Sequence, residues 1–438
     1  MTSPSSSGAR VEVWFTALLL VSLLVTNRYL SLEADAAWVR FAGGDSYSYL
    51  TIANAFPSLP YDATLWLHKS QRFVLPYVLG GVARMFGVPV EQVFRGFAVL
   101  VVLGVVVLFR RILGYFALSI QMRMVLLGIL ILNAYMFRYH LAIPWMVSDL
   151  GFQLGVVLVL LGLLGERPGL TYVALLFATL SKQTALTLIP AVMAWIWLEW
   201  NAPRKVRVAH CLIVAALGPL VYLGTTWIVI SFSKSRVPGR YFIGLVQWMT
   251  ARFSLVTLSD FTGRGLIGFA LPVALFLSLA VTRALPGGWY RNRRLWLCLA
   301  LTASIDLTPF LAGPVMTGHS MPRLTMLGYV PVLVGLGIVL ADTVLPIAVQ
   351  QRLVFVSAFA AAIGSFHHFY SFLGVLDPGP AGKFAAVYLA SALLLFVGSV
   401  VSQRVEIGTG AGGSAQEIAD GDGDGGDLER RDYRRRGE

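Results

Sequence analysis

The sequence predicts an all-α protein, a polytopic transmembrane helical bundle of about twelve membrane segments, some of them short or re-entrant. Three observations carry that expectation. Apolar residues make up 57% of the 438 and charged residues 13%, about half the charged share of a soluble domain. Apolar runs recur from residue 11 to residue 401, each of the length that crosses about 30 Å of hydrocarbon at 1.5 Å per helical residue. The net charge of +12 comes from basic residues gathered in short loops at the ends of those runs. In that position cations orient helices rather than bind nucleic acid. Cys211 and Cys298 lie inside apolar runs without a spaced His or Cys partner, so neither a disulfide framework nor a zinc site is expected.

Taken in order, the first run spans Val11 to Thr26 and reads as an uncleaved first helix. Further spans are expected near 93–113, 117–137, 149–165, 208–230, 264–283, 294–311, 323–341, 352–370 and 382–401. Two segments need a separate argument. Residues 73–87, FVLPYVLGGVARMFG, are short and hold Pro76, a glycine pair and Arg84, whereas residues 170–199 are too long for one untilted span and contain SKQT at 181–184. The basic clusters at Arg110 and Arg111, at Arg204, Lys205 and Arg207, at Arg291, Arg293 and Arg294, and at Arg352 fall on one side under a single assignment. In it 73–87 does not cross and 170–199 is a hairpin broken at Ser181 and Lys182. The positive-inside rule makes the basic side cytoplasmic and puts both termini there, in a plasma-membrane protein. The membrane domain is residues 1–404. Residues 405–438 form a charged cytoplasmic tail expected to be disordered; its DGDGDGGDLERR resembles a calcium loop but has Asp427 and Arg431 where an apolar residue and a bidentate acid are needed.

The polar chemistry collects on the opposite, outer side. In the first outer loop, 32–72, the stretch GGDSYSYLTIANAF places Tyr49, Ile52, Ala53 and Phe56 at helical spacing. This predicts an amphipathic juxtamembrane helix with its apolar side toward lipid and Asp45 at its start. Asp45 there is either an N-cap or a carboxylate suited to taking a proton from a hydroxyl. Asp62 is expected to cap a second short helix, followed by His68, Lys69 and Arg72. Arg72 either snorkels toward headgroups or grips a phosphate with its planar fork. The basic outer loop, 231–263, breaks the positive-inside pattern with Lys234, Arg236, Arg240 and Arg252 beside an apolar stripe, as for anionic lipid or a substrate phosphate. Asp149 opens a span, as a cap or as a second carboxylate. Asp306 sits in the outer third of its span, where an acid usually faces the bundle interior. Lys182 interrupts the hairpin, and His319 and Arg323 flank Met321 and Pro322.

An acid in the first outer loop, paired juxtamembrane helices, the stretch RFVLPYVLGGVARMFG from Arg72, and the Arg-led, Pro-containing helix RLTMLGYVP from Arg323 resemble the GT-C superfamily of membrane glycosyltransferases. That superfamily includes protein mannosyltransferases and the lipid A aminoarabinose transferase. The resemblance covers residues 11 to about 341. It implies transfer of a sugar from a polyprenyl-phosphate donor, with inversion, at the outer face, with Asp45 and Asp149 as catalytic carboxylates, a carboxylate deprotonating the acceptor hydroxyl. It also implies Arg72, with Lys69 as the close alternative, Lys182 and Arg323 as phosphate-binding cations; the outer-face charge pattern adds Arg240 to these and Asp62, His68, Asp306 and His319 as accessory groups, and leaves open whether a divalent metal, magnesium or manganese, assists. Asp45 is followed by Ser46 rather than a second acid, so a two-carboxylate site must recruit Asp149 or Asp62. No large soluble outer domain follows the last span, which favours a lipid or glycan acceptor. Two other readings compete. A secondary transporter or lipid-linked glycan flippase would place acids near the midplane in repeats, and an O-antigen polymerase or ligase would make Asp45 dispensable.

Overall fold

The computed structural model describes residues 6–28, 45–61, 65, 67–233, 254–317, 321–365, 370–371, 374–375 and 381–417. They form a helical bundle; the strands among them are two residues each, Tyr370–Ser371 paired antiparallel with Gly374–Val375. In order come α1 (Ser6–Arg28), α2 (Asp45–Asn54), α3 (Leu67–Ser70), α4 (Val74–Phe86), α5 (Val90–Leu113) and α6 (Ile120–Ile131). A π-helical turn, Ala134–Arg138, and a last turn, Tyr139–Ala142, prolong α6. Then follow α7 (Val147–Leu164), α8 (Pro168–Ser181), α9 (Ile189–Glu199), α10 (Arg204–Ile230), α11 (Leu255–Leu266), α12 (Ala270–Val281) and α13 (Arg293–Thr317). The last are α14 (Met321–Thr325), α15 (Tyr329–Ala341), α16 (Ile347–Ser365) and α17 (Ala381–Glu417). Joined across their short breaks, ten of these stretches are long and apolar enough to cross a membrane. Two shorter apolar helices, α4 and α8, accompany them among the described residues. Trp14, Leu100, Trp227 and Phe355 stay exposed on the long helices, the arrangement of a multi-pass protein whose outer surface is covered by lipid.

Two neighbouring ends of the chain fix how α4 lies. Glu12 near the start of α1 pairs with Arg110 at the end of α5, whereas Phe94 at the start of α5 packs among Tyr49, Leu75 and Leu79 at the other end. Helices α2 and α4 therefore sit together at that end of the bundle, and α4 does not cross. Its short length has a local cause. Gly87 takes φ +62°, and the Val88 N–H turns back to the Ala83 carbonyl at 3.0 Å, ending the helix at about 20 Å.

Helix α2 corrects an expectation. Tyr49, Ile52 and Ala53 face inward and are buried, not turned to lipid. They meet α4 where Gly80 lets the backbones touch: a Cβ at Gly80 would stand 2.0 Å from the Ala53 carbonyl oxygen. A surface-lying amphipathic helix buries its apolar side in whatever is less polar than water, and here that is protein.

The α7–α8 hairpin closes in the same manner. A Cβ at Gly155 would lie 2.7 Å from the Ala178 Cβ, so the glycine allows two apolar helices to approach without side chains between them. At the far end α8 stops at Ser181, Lys182 is extended, and a 3₁₀ turn, Gln183–Leu188, leads into α9. The expected break thus lies where Lys182 interrupts the pattern. Helix α17 continues past residue 404 to Glu417, into the segment expected to be a disordered tail.

Candidate functional site

The site is assembled where a small core around α2, α4 and the 142–147 turn meets the main core of the long helices. Its first member is Asp149, in the first turn of α7. Met146, not Asp149, occupies the cap position, so the carboxylate is turned to other work. One oxygen accepts from the Lys182 ammonium at the hairpin break, and the other faces Arg323 Nε at 3.4 Å. Arg323, on α14, extends NH2 to Asp45 at 3.4 Å and NH1 to the Met146 sulfur at 2.9 Å. The other oxygen of Asp45 pairs with Lys69 at 3.3 Å. The result is a chain of alternating charge, Lys182, Asp149, Arg323, Asp45, Lys69, drawn from five separate elements.

Arg72 lies alongside this chain. Its Nε donates to Gln183 Oε1 at 2.9 Å and its NH1 to the Tyr49 hydroxyl at 2.9 Å. Gln183 in turn donates to the His68 carbonyl and to Gln71 Oε1, both at 3.1 Å, and Gln71 donates to Thr226 on α10 at 2.7 Å. The fork of Arg72 is thereby held in a fixed plane. Snorkelling to headgroups is excluded, because Arg72 is buried.

Among the described residues, two carboxylates stand beside four cations, Lys69, Arg72, Lys182 and Arg323. The side chains of Asp149 and Lys182 are each 3% exposed and that of Arg323 8%, while Asp45, at 22%, is the most open of the ion-paired members. Burial alone would raise the Asp45 carboxyl; Arg323, Arg72 and Lys69 override it and hold the group at about 2. Burial pushes the Tyr49 phenol up to about 12, so it stays a neutral donor and acceptor beside Arg72.

Of the residues predicted from sequence, Asp45, Asp149, Lys69, Arg72, Lys182 and Arg323 come together here. His68 contributes its backbone carbonyl to Gln183. Asp306 does not join by any ion pair or hydrogen bond among the described residues; it lies on α13 against Gly328 and Thr302, with Oδ1 buried and unpartnered. Asp62, Arg240 and His319 lie outside the described residues, as do Lys234, Arg236, Arg252 and most of the apolar stripe of the basic loop. Tyr49, Gln71, Gln183 and Met146 were not anticipated. Tyr49 reads in the sequence as one more apolar position, and the two glutamines are visible only as neighbours of cations, in HKSQR and SKQT.

The donor set does not fit a divalent metal. Both carboxylates are already closed by cations, and among the described residues no three His, Cys, Asp or Glu side chains group as ligands. No step below is routed through one. What the arrangement does fit is an anion next to a carboxylate that solvent can still reach. No protein-family model matches the chain, and no curated protein or solved structure matches it either.

Proposed function

We propose that the protein is a membrane glycosyltransferase that moves a sugar from a polyprenyl-phosphate donor to the hydroxyl of a lipid or glycan acceptor. The observation that supports this reading is the gathering of four cations, Lys69, Arg72, Lys182 and Arg323, around two carboxylates among the described residues. Uncompensated charge in an apolar setting is costly unless a ligand supplies the counter-charge. A donor phosphodiester brings one negative charge, and the departing polyprenyl phosphate brings a second.

In the reaction, the acceptor hydroxyl oxygen attacks the anomeric carbon as the bond from that carbon to the phosphate oxygen breaks. The hydroxyl proton passes to Asp45, and the bonding pair leaves with the phosphate. Single displacement from the face opposite the leaving group inverts the anomeric centre. Arg72, Arg323, Lys69 and Lys182 stabilise the charge that grows on the phosphate. Asp45 takes the base role because it is the more open carboxylate; Asp149, closed between Lys182 and Arg323, holds those cations in place. A base held near 2 is weak, but a phosphate that draws Arg323 and Lys69 toward itself releases Asp45 to become more basic as the donor binds.

The site end of the bundle is assigned to the outer face of the plasma membrane, with both termini cytoplasmic. The distribution supporting this is the basic belt at the opposite end, Arg110, Arg204, Arg207, Arg293 and Arg294. Single cysteines at Ser58 and Ser235, without Cys211 and Cys298, are expected to react with an impermeant thiol reagent in intact cells, and one at Ser414 only after lysis. Protection of Ser58 in intact cells would reverse the orientation. The activity itself is tested by extracting lipids that co-purify with the protein and by following release of polyprenyl phosphate from polyprenyl-phosphate sugars. Failure of every such donor both to bind and to react would sink the reading.

A further inference from the structure

One turn deeper than the ion chain, the structure holds a patch of neutral hydrogen-bonding groups that the charge chemistry does not use. Gln153 stands four residues beyond Asp149 on the same face of α7, and its Nε2 lies 3.1 Å from Nε2 of His140, in the turn that ends the α6 span. An amide nitrogen only donates, so His140 Nε2 accepts and the ring proton sits on Nδ1. That Nδ1 and the Gln153 Oε1 are both buried with no hydrogen-bond partner. Turning the amide over exchanges their roles, yet one donor and one acceptor remain unspent in either case. Trp145 Nε1 and Ser148 Oγ, flanking the same carboxylate in sequence, are also buried and unpartnered. All four side chains are more than nine-tenths buried, where an unspent polar group costs stability.

Resting on the polyprenyl-phosphate reading above, we infer that His140 and Gln153 form the recognition floor for the glycosyl group of the donor, which is a neutral polyhydroxyl sugar. A hydroxyl donates and accepts at once and so answers a paired donor and acceptor, whereas an ionised phosphate only accepts. The floor adjoins the cations that would hold the phosphate, as a sugar adjoins its phosphate. Neither His140 nor Gln153 is an acid, so the floor itself offers no carboxylate to the ammonium of an amino sugar.

The test compares binding by the purified full-length protein in nanodiscs. The probes are undecaprenyl phosphate and the same lipid carrying glucose, mannose, galactose, a neutral pentose or 4-amino-4-deoxyarabinose. At least one neutral glycosyl lipid is expected to bind about tenfold more tightly than the bare lipid. Gln153→Leu and His140→Phe should remove that gain while leaving bare-lipid affinity, the measure of intact fold, unchanged. His140→Asn, which restores a short amide, should keep part of it. The inference is overturned if no neutral sugar adds affinity, if the amino sugar alone does, or if the gain survives both apolar variants. Bare undecaprenyl phosphate that fails to bind, or binds equally to Arg72→Ala, would instead defeat the phosphate reading, and this inference with it.

Discussion

The two ends of the bundle both concentrate charge, yet they use it differently. At one end Glu199 pairs with Arg294 at 2.7 Å and Arg293 at 3.8 Å, with the arginines 48% and 61% exposed, and Arg204 and Arg207 lie over the Trp197 ring. These residues belong to neighbouring helix ends, and water screens each pair. At the other end Lys182, Asp149, Arg323, Asp45 and Lys69 come from elements scattered from residue 45 to residue 323 and are largely withdrawn from water. Removing a partner at the first end leaves a charge that water solvates. Removing one member of the Lys182 and Asp149 pair at the second leaves a charge with nowhere to go, whereas Asp45 at the same end stands where water still reaches.

The sharpest way to break the contrast is Asp45→Asn. The amide keeps the shape and still accepts from Lys69 and Arg323, but it cannot take a proton. Sugar transfer should fall by at least about 100-fold, the scale of a lost general base, while detergent thermal stability changes little. Full activity in this variant would remove Asp45 from the reaction. The pH profile sharpens the same point. A base works only when deprotonated, so activity falls as pH drops through its pKa. With Asp45 at about 2 in the free protein, kcat/KM should show no acid limb from this group above about pH 4. If the donor draws the cations away, the acid limb of kcat should lie at higher pH than that of kcat/KM. Coincident limbs would mean that donor binding leaves the charges around Asp45 unchanged.

Stability should respond most at the buried pair. Lys182→Met or Asp149→Asn alone should destabilise by about 3 kcal/mol, the cost of stranding a buried partner, and the double variant should lose less than the sum of the two. Additive losses would show that the two side chains do not depend on each other.

How much of this was legible in the sequence follows from what each feature depends on. The long spans were readable because burial in lipid demands continuous apolar runs. The failure of 73–87 to cross was readable too, because loop charge fixes parity even where hydropathy is ambiguous. The charged members of the site stood out because an acid or a cation in an apolar setting is conspicuous one residue at a time. The direction of the α2 face was not legible: an apolar stripe states what must be covered, not what covers it, and the glycine at 80 that brings α4 against Ala53 acts through space. Nor were the neutral partners. Gln183 clamps Arg72 across 111 positions of sequence, and nothing in SKQT announces the distant arginine. His140 and Gln153 lie 13 residues apart in separate helices, and they meet only because α6 ends and α7 begins on the same side of a tight turn.

The smallest effect is expected at the opposite end, and it completes the comparison. Glu199→Gln removes the acid shared by Arg293 and Arg294 but leaves both guanidinium groups in reach of water and of interfacial phosphates. An exposed pair of this kind is worth about 0–1 kcal/mol, so detergent thermal stability should shift by less than that amount and sugar transfer should not change. Raising the salt concentration should erase even this difference, since screening acts on exposed pairs first. The same salt should leave the Asp149 and Lys182 variants as unstable as before. A Glu199 variant as unstable as Lys182→Met, or one whose defect persists in high salt, would show that the arginine belt also bears on the core of the fold. The contrast between a solvated end and a sequestered one would then fail.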